Sequence, residues 1–206
     1  MLVQPKRDRV AEQRTAVRAE IVEAAWALGR EHGLAGVTVR DVAERIGLRA
    51  PSLYTHFESK MSIIDAMFGQ AWTAYLEVIR EVDQNLPPQP RAALATVART
   101  FFDFAAADPV RYQLMNQRTV AGFNPSPEAY APSVEVLGRL EDTLRSLGIT
   151  EPAARDIFTA TLGGLVDQQL ANDPDGDRWR RLIDRVIDMY ADHLGIEGPP
   201  LHEHQR

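Results

Sequence analysis

The sequence predicts an all-α protein, in which an N-terminal domain of three helices contains a helix-turn-helix and a C-terminal domain contains six helices. Three observations support this fold class. Apolar residues recur three and four positions apart in one segment after another, which is the spacing of one helix face. Gly and Pro residues lie where these segments begin or end. No segment alternates strictly between apolar and polar residues, as a half-buried strand does.

The N-terminal helices are bounded by residues that favour helix ends. We expect these three helices over 16–31, 39–46 and 50–57. The first ends before Gly33, a residue suited to the turn that closes a helix, and Thr38 is placed to cap the second. Gly47 interrupts the chain after the second helix, and Pro51 lies in the first turn of the third, where its missing N–H costs nothing.

Six further helices are predicted in the C-terminal domain. They cover 62–84, 91–107, 109–117, 133–147, 152–171 and 177–194. The Gly- and Pro-rich stretch 121–132 is predicted as a loop. We place the domain boundary between 1–61 and 62–206, and we expect a loose, flexible tail over 195–206.

Composition argues against several classes of function. The chain of 206 residues has no cysteine, which excludes disulfides, cysteine nucleophiles and Cys-ligated zinc. No run approaches the roughly 18 apolar residues of a membrane-spanning helix, and no signal peptide is recognisable, so we expect a cytoplasmic protein with no membrane partner. We find no phosphate-binding glycine loop, metal-ligand spacing or nucleophile–base set, so we expect neither enzymatic activity nor a cofactor or metal.

Charge is distributed unevenly along the chain. The formal net charge is −6, yet the first 60 residues carry ten basic and eight acidic side chains, a balance of +2. A mildly basic N-terminal part on an acidic body favours local contact with phosphates over unspecific coating of nucleic acid.

Residues 38–60 have the pattern of two short helices joined by a tight turn. Ala43 is small enough for the second helix to cross close over the first, and Gly47 permits the sharp turn. The apolar residues expected on the buried side are Leu48, Leu53 and Phe57. The side chains expected to face outward are Arg49, Ser52, Thr55 and His56. Such a unit presents its second helix to the DNA major groove, although a helical hairpin inside a core has the same spacing.

This stretch resembles the TetR family of bacterial transcriptional regulators. The family's recognition region typically ends Leu-Tyr-x-x-Phe-x-x-Lys, and the matching residues here are Leu53, Tyr54, Phe57 and Lys60. A first helix that ends before Gly33, and a Thr-capped second helix that contains Ala and then Gly, match as well. The resemblance covers about 14–65 and departs at Pro51, where glycine is usual, and at His56, where tyrosine is frequent. It implies a homodimeric repressor that binds a palindromic DNA operator and is released by a small, mostly apolar ligand.

The resemblance also implies which side chains contact DNA. They are Thr38, Arg40, Ser52, Tyr54, Thr55, His56 and Lys60, and the chemistry of its side chain adds Arg49. By this resemblance Ser52 and Thr55 face base edges. The same resemblance implies that Tyr54, His56 and Lys60 face phosphates or the sugar edge. Arg40 and Arg49 are the side chains able to make a bidentate contact with guanine.

Other charged residues of the N-terminal part allow two interpretations. The basic residues of the predicted arm before the first helix are Lys6, Arg7, Arg9 and Arg14. Such an arm can contact the minor groove or the backbone, but a charged, disordered terminus has the same composition. Arg45 is expected to stay solvated and to pair with Asp41, one turn earlier.

The C-terminal domain concentrates aromatic and flexible apolar side chains in its middle helices, which favours a mostly apolar pocket. The candidate pocket residues are Phe101, Phe104, Tyr112, Met115, Phe123 and Gln168. Arg99, Arg111 or Arg118 could supply the polar contact in place of Gln168. Ordinary core packing is the alternative for each aromatic residue, and the Pro-rich loop near Phe123 is a candidate lid.

The last two predicted helices are expected to form a four-helix bundle with those of a second copy. The candidate dimer residues are Leu162, Leu165, Val166, Leu170, Ile183, Val186, Ile187 and Tyr190. Gly163 and Gly164 lie within a helix, where glycine costs about 1 kcal/mol relative to alanine, and therefore indicate a close backbone approach. A constitutive DNA-binding dimer without a small-molecule ligand, or an activator, remains an alternative to a ligand-responsive repressor.

Overall fold

The structure, a computed structural model, describes residues 6–202, with side chains from residue 9 onward. Its α-helices are α1 Lys6–His32, α2 Val39–Arg45, α3 Ala50–Leu53, α4 Lys60–Asp83, α5 Pro90–Ala107, α6 Pro109–Asn116, α7 Pro127–Ser146, α8 Pro152–Asn172 and α9 Ile183–His193. The described residues contain no strand, so the predicted all-α fold class is confirmed. None of the helices in this part of the chain is long and apolar enough to cross a membrane.

The chain divides into two compact units. The first contains the residues up to Ala71 together with Gln113–Tyr130, and the second contains Trp72–Tyr112 together with the residues from Ala131 onward.

The core of the first unit lies between α1, the two short helices and the start of α4. Its most deeply buried side chains are Ile21, Trp26, Val37, Val42, Leu53, Ile63, Ile64 and Met67. The predicted caps and turns that position α2 and α3 are confirmed. The Thr38 side chain accepts a hydrogen bond from the Asp41 N–H at 3.2 Å, and Gly47 adopts a φ of 68°, in the left-handed region that favours glycine.

The first helix begins ten residues earlier than expected, at Lys6 instead of Ala16. The helical spacing of apolar residues shows only where a helix packs against a core, and the described side chains between Arg9 and Thr15 are exposed. Good helix formers such as Arg, Glu and Ala extend the helix there without burial.

The core of the second unit is built mainly from α5, α8 and α9. Its most buried members include Leu94, Ala95, Ala98, Phe102, Val166, Ile183 and Ile187. The expected last helix over 177–194 is shorter than predicted, because a 3-10 turn at Arg180–Leu182 precedes α9.

The predicted loop over 121–132 ends early, since α7 begins at Pro127 and contains Pro132. Ser126 explains the early start. Its hydroxyl oxygen lies 3.2 Å from the Ala129 N–H, which donates to it, and Asp65 of α4 holds the Ser126 side chain in place at 2.7 Å. A cap fixed by a residue 61 positions away is invisible to local sequence patterns.

The described part of the expected loose tail, residues 195–202, packs against its own unit. Ile196 is buried, and the Leu201 and His202 N–H groups donate to the Asp188 carboxylate of α9. Arg91 of α5 binds the same carboxylate at 3.3 Å and the Ile196 carbonyl at 3.0 Å. Burial raises the pKa of Asp188, but these hydrogen bonds outweigh burial, so its pKa lies below the usual value.

Candidate nucleic-acid interface

The recognition segment, residues 50–57, consists of α3 and the turn that follows it. The predicted helix over the whole segment is therefore shorter than expected, although the Phe57 N–H still bonds the Leu53 carbonyl at 3.1 Å. Leu53 and Phe57 are only 0% and 2% exposed, so the underside of the segment is anchored in the core. Ala43 of α2 is buried beneath it, and Leu48 is half-buried.

Two arginines of α1 hold the recognition segment from behind. The Arg18 guanidinium lies 3.9 Å from the centre of the Phe57 ring and donates a hydrogen bond to the His56 carbonyl. Arg14 donates to the Thr55 carbonyl at 3.4 Å. Sequence analysis missed Arg18, because these contacts join residues about 40 positions apart in the chain.

The predicted basic arm is corrected by this geometry. Arg9 and Arg14 belong to α1, and the guanidinium of Arg14 bonds to the recognition segment of its own chain. The side chains of Lys6 and Arg7 lie outside the described residues.

The outward side of the recognition segment is polar. Arg49, Ser52 and Thr55 are exposed, as expected, and Tyr54 is 53% exposed. The Thr55 hydroxyl donates to the Ser52 carbonyl at 2.7 Å, which leaves its oxygen free to accept a hydrogen bond. Their contact with DNA stays a prediction.

His56 and Lys60 are less available than expected. His56 is half-buried, and its Nδ1 atom is buried without a hydrogen-bond partner in the described part of the chain. The Lys60 ammonium donates to the Ala35 carbonyl at 2.8 Å, so one of its three N–H donors is already used.

The start of α2 combines a structural and an exposed residue. Thr38 caps the helix through its hydroxyl, which also donates to the Asp41 carboxylate at 2.7 Å, whereas Arg40 is exposed. The expected Arg45–Asp41 pair is wrong. Arg45 pairs instead with Glu31 at the end of α1, through two hydrogen bonds of 2.6 Å.

The predicted ligand residues fall into two groups and one outlier. Phe101 and Phe104 pack against the buried Tyr75 in the second unit, and Tyr112 packs against Phe101, with ring centres 4.9 to 6.3 Å apart. Burial raises the pKa of Tyr75 and of Tyr112 well above the usual range. Phe101 and Phe104 are half-buried, and contact of this cluster with a ligand stays a prediction.

Met115 and Phe123, the second group, line a cavity of about 640 Å³ inside the first unit. Tyr130 of α7 lines it as well, and so does Phe68 of α4, which the sequence pattern did not single out. Gln168 lies exposed on α8, lines neither this cavity nor the groove of the second unit, and accepts a hydrogen bond from Asn172 at 2.9 Å.

Most of the predicted dimer residues belong to the core of their own chain. Those less than a tenth exposed are Leu162, Leu165, Val166, Ile183, Ile187 and Tyr190, whereas Leu170 and Val186 are half-buried. Apolar spacing shows that a helix is buried but does not distinguish its own core from a partner. The large apolar side chains left exposed on α8 and α9 are Ile157, at 45%, and Met189, at 65%.

These two residues border a groove of about 240 Å³ between α8 and α9. Val186 and His193 line it too, and Tyr190 lies in its floor. Burial raises the pKa of Tyr190 to about 12, and its hydroxyl donates to the Ala154 carbonyl at 3.0 Å. Within the chain, a side chain at Gly164 would meet open space, whereas one at Gly163 would meet the Tyr112 hydroxyl at 3.7 Å.

Two family models match the chain. The model of bacterial regulatory proteins of the tetR family matches residues 21–67, and the tetracyclin repressor-like C-terminal domain matches residues 94–190.

Among curated relatives, the transcriptional repressor KstR2 of Mycobacterium tuberculosis is 45% identical over 60 residues, which cover 29% of this chain and 30% of that protein. The matched segment thus spans about a third of the length of this relative. The class A tetracycline repressor from transposon 1721 of Escherichia coli is 28% identical over 77% of this chain and 69% of its own length.

Solved structures share the fold. The regulator FadR of Bacillus subtilis, in complex with stearoyl-CoA, superposes with a TM-score of 0.65 at 21% identity, covering 84% of this chain and 96% of that one. The two family models, which cover the helix-turn-helix and the helices after it, show that the chain belongs to the TetR family of DNA-binding transcriptional regulators.

Proposed function

We propose that this regulator is a repressor that binds a palindromic operator as a homodimer and leaves the DNA when a small molecule binds. The observation that carries the proposal is the recognition segment, because its polar side faces solvent while Leu53 and Phe57 anchor its underside. A helix held in this way can enter a major groove while its underside stays packed in the core.

The exposed residues of the segment supply chemistry for sequence-specific contact. Arg49 can bond guanine O6 and N7 together, and Ser52 and Thr55 can bond either donors or acceptors on bases. Tyr54 offers a ring for a thymine methyl group and a hydroxyl for a phosphate. Lys60 keeps two N–H donors for a phosphate beside its bond to Ala35.

A second copy of the chain is the proposed occupant of the exposed face of α8 and α9. Ile157 of α8 and Met189 of α9 present apolar surface there. Gly164 of α8 leaves open space for a close approach of the second copy. An interface made of the same face on both copies gives a twofold dimer. Such a dimer would place two recognition segments about 34–36 Å apart, one turn of DNA.

Release by a ligand is supported by the contacts around the cavity of the first unit. Asp65 lies on the first turns of α4, directly after the recognition segment, and accepts hydrogen bonds from the Ser126 N–H and hydroxyl at 2.7 Å. Ser126 directly follows Asn124 and Pro125, which line the cavity, so this part of the cavity wall is tied to α4. A coupling free energy of about 1–3 kcal/mol between the two sites would be enough for an appreciable response.

DNA-binding measurements test the proposal. The operator duplex is selected from a random library with the wild-type protein, and affinity is followed by fluorescence anisotropy at several salt concentrations. Arg49→Ala should weaken binding to the selected duplex about tenfold, because one bidentate base contact contributes about 1–3 kcal/mol. Binding to an unselected duplex should change far less. The control Arg178→Ala removes an exposed charge of the second unit and should change neither.

If Arg49→Ala and the control bind the selected duplex equally well, the recognition segment does not contact its bases and the proposal fails. If no duplex sequence is enriched by the wild-type protein, operator binding itself is refuted.

A further inference from the structure

The cavity of the first unit has the size of a small-molecule site. Its volume of about 640 Å³ lies within the range of about 300–1,000 Å³ that is typical of ligand pockets. It opens between α4 and residues 114–130, all of which belong to the same compact unit as the recognition segment.

One side of the cavity is aromatic. The rings of Phe68 and Tyr130 are nearly parallel, with an interplanar angle of 10° and centres 6.3 Å apart, and Phe123 tilts against Phe68 at 5.8 Å. Tyr130 is 45% exposed, so part of its ring is uncovered. Flat aromatic walls favour a flat apolar molecule, because offset stacking adds to the free energy of burial.

The cavity is also lined by polar side chains and by one positively charged side chain. Asn116, Gln117 and Asn124 line it together with Arg118. The structure assigns Arg118 no ion pair or hydrogen bond with any of the residues it describes. Two other candidates for a polar ligand contact are engaged, since Arg99 pairs with Asp184 and Arg111 pairs with Asp108.

We propose that this cavity binds a planar aromatic or polycyclic anion. Its rings lie against Phe68, Phe123 and Tyr130, and its acid group bonds to Arg118. A guanidinium presents a fork of N–H donors that matches carboxylate, sulfonate or phosphate oxygens. That such an anion is also the molecule that releases DNA rests on the proposed function.

Two fluorescent probes with the same rings test the charge and the aromatic wall separately. 8-Anilinonaphthalene-1-sulfonate is an aromatic anion with a flat naphthalene ring system, and N-phenyl-1-naphthylamine lacks the sulfonate. Each is titrated into the full-length protein without DNA, so that a failure here does not depend on whether the chain binds an operator. Thermal melting confirms that each variant is folded.

The anionic probe should bind wild-type protein with one site per chain. Arg118→Gln should weaken this binding about tenfold, as expected from the loss of one charge-assisted contact, and should change binding of the neutral probe by less than about twofold. Tyr130→Ala should weaken binding of both probes. Arg145→Gln removes an exposed charge from α7 in the second unit and should leave the binding of both probes unchanged.

Three results would overturn the proposal. One is an anionic probe that does not bind wild-type protein at millimolar concentration. Another is an affinity that is the same in wild type and Arg118→Gln. The third is an affinity that falls in Met189→Lys but not in Arg118→Gln, which would place the probe in the groove between α8 and α9.

Discussion

The contacts that hold the recognition segment against α1 lead to a prediction about Arg18. Arg18→Leu keeps most of the aliphatic stem but removes the hydrogen bond to the His56 carbonyl and the contact with the Phe57 ring, whose centre lies 3.9 Å from the guanidinium. A hydrogen bond from a charged group contributes about 1.5–3 kcal/mol and a cation–π contact about 0.5–1 kcal/mol at an exposed site. Because Arg18 is half-exposed, we take the lower end, about 2 kcal/mol in total.

A loss of about 2 kcal/mol makes local opening of the segment about thirtyfold more frequent. Amide hydrogen exchange measured without DNA should therefore accelerate by about this factor at residues 53–57, and much less in the core of the second unit. Only the conformation in which the segment packs against α1 fits the major groove. Affinity for operator DNA should therefore fall only in proportion to the population of the opened conformation.

Arg30→Leu is the matched control for this variant. Arg30 also lies on α1 and also faces an aromatic ring, with its guanidinium 5.8 Å from the centre of the Trp26 ring. Arg30 lies twelve positions after Arg18 along the same helix. Exchange at residues 53–57 that is unchanged in Arg18→Leu, or equally accelerated in both variants, would refute the argument that α1 holds the segment through Arg18.

Three further predictions concern the buried underside, the dimer face and the tail. Leu53→Ala, at a position 0% exposed, should lower the free energy of unfolding by about 3 kcal/mol and lower Tm, whereas Tyr54→Ala should leave Tm unchanged but weaken operator binding. Met189→Lys should convert the dimer to monomers in sedimentation velocity, whereas Val134→Lys, at a residue 55% exposed on α7, should not. Because the folded pKa of Asp188 lies below the unfolded value of about 4, its stabilisation is present above pH 4 and is lost as the pH falls through the folded pKa. In urea unfolding, the free energy of unfolding of Asp188→Asn should fall less at acid pH than that of the wild type.

Each of these predictions has a contradicting result. A normal Tm in Leu53→Ala would mean that the segment is not anchored in the core. Monomers formed by Val134→Lys instead of Met189→Lys would move the interface to α7. An acid loss of stability that is identical in wild type and Asp188→Asn would show that the tail contacts do not depend on this carboxylate.

Helix ends whose chemistry is local could be predicted from the sequence. Thr38 caps α2 and Gly47 closes the turn after it, because each acts on its immediate neighbours. Pro90 and Pro152 open α5 and α8 for the same reason. The starts of α1 and α7 were placed too late. The start of α1 lies on an exposed extension with no apolar face. The start of α7 depends on a Ser126 cap that is held by α4.

The sequence predicts which side chains of the recognition segment are exposed, but it does not predict the contacts that hold the segment in place. Periodicity places Leu53 and Phe57 inside and Arg49 outside. The role of Arg18, the partial burial of His56 and the bond from Lys60 to Ala35 arise from packing between distant parts of the chain. Helices α8 and α9 show the same limit, because their apolar spacing indicates burial and does not identify what buries them.

The central claim is that the outward side of the recognition segment lies against base edges in two successive major grooves. Because the chain has no cysteine, Ser52→Cys would carry the only attachment point for a tethered DNA-cleaving reagent. Thr159→Cys, exposed on α8, carries the same reagent as the control. With the selected operator, the account predicts cleavage from Ser52→Cys in two clusters about 10–10.5 base pairs apart, one helical turn of DNA, and none from Thr159→Cys. Cleavage that is absent, unspecific or equal from both positions would contradict it.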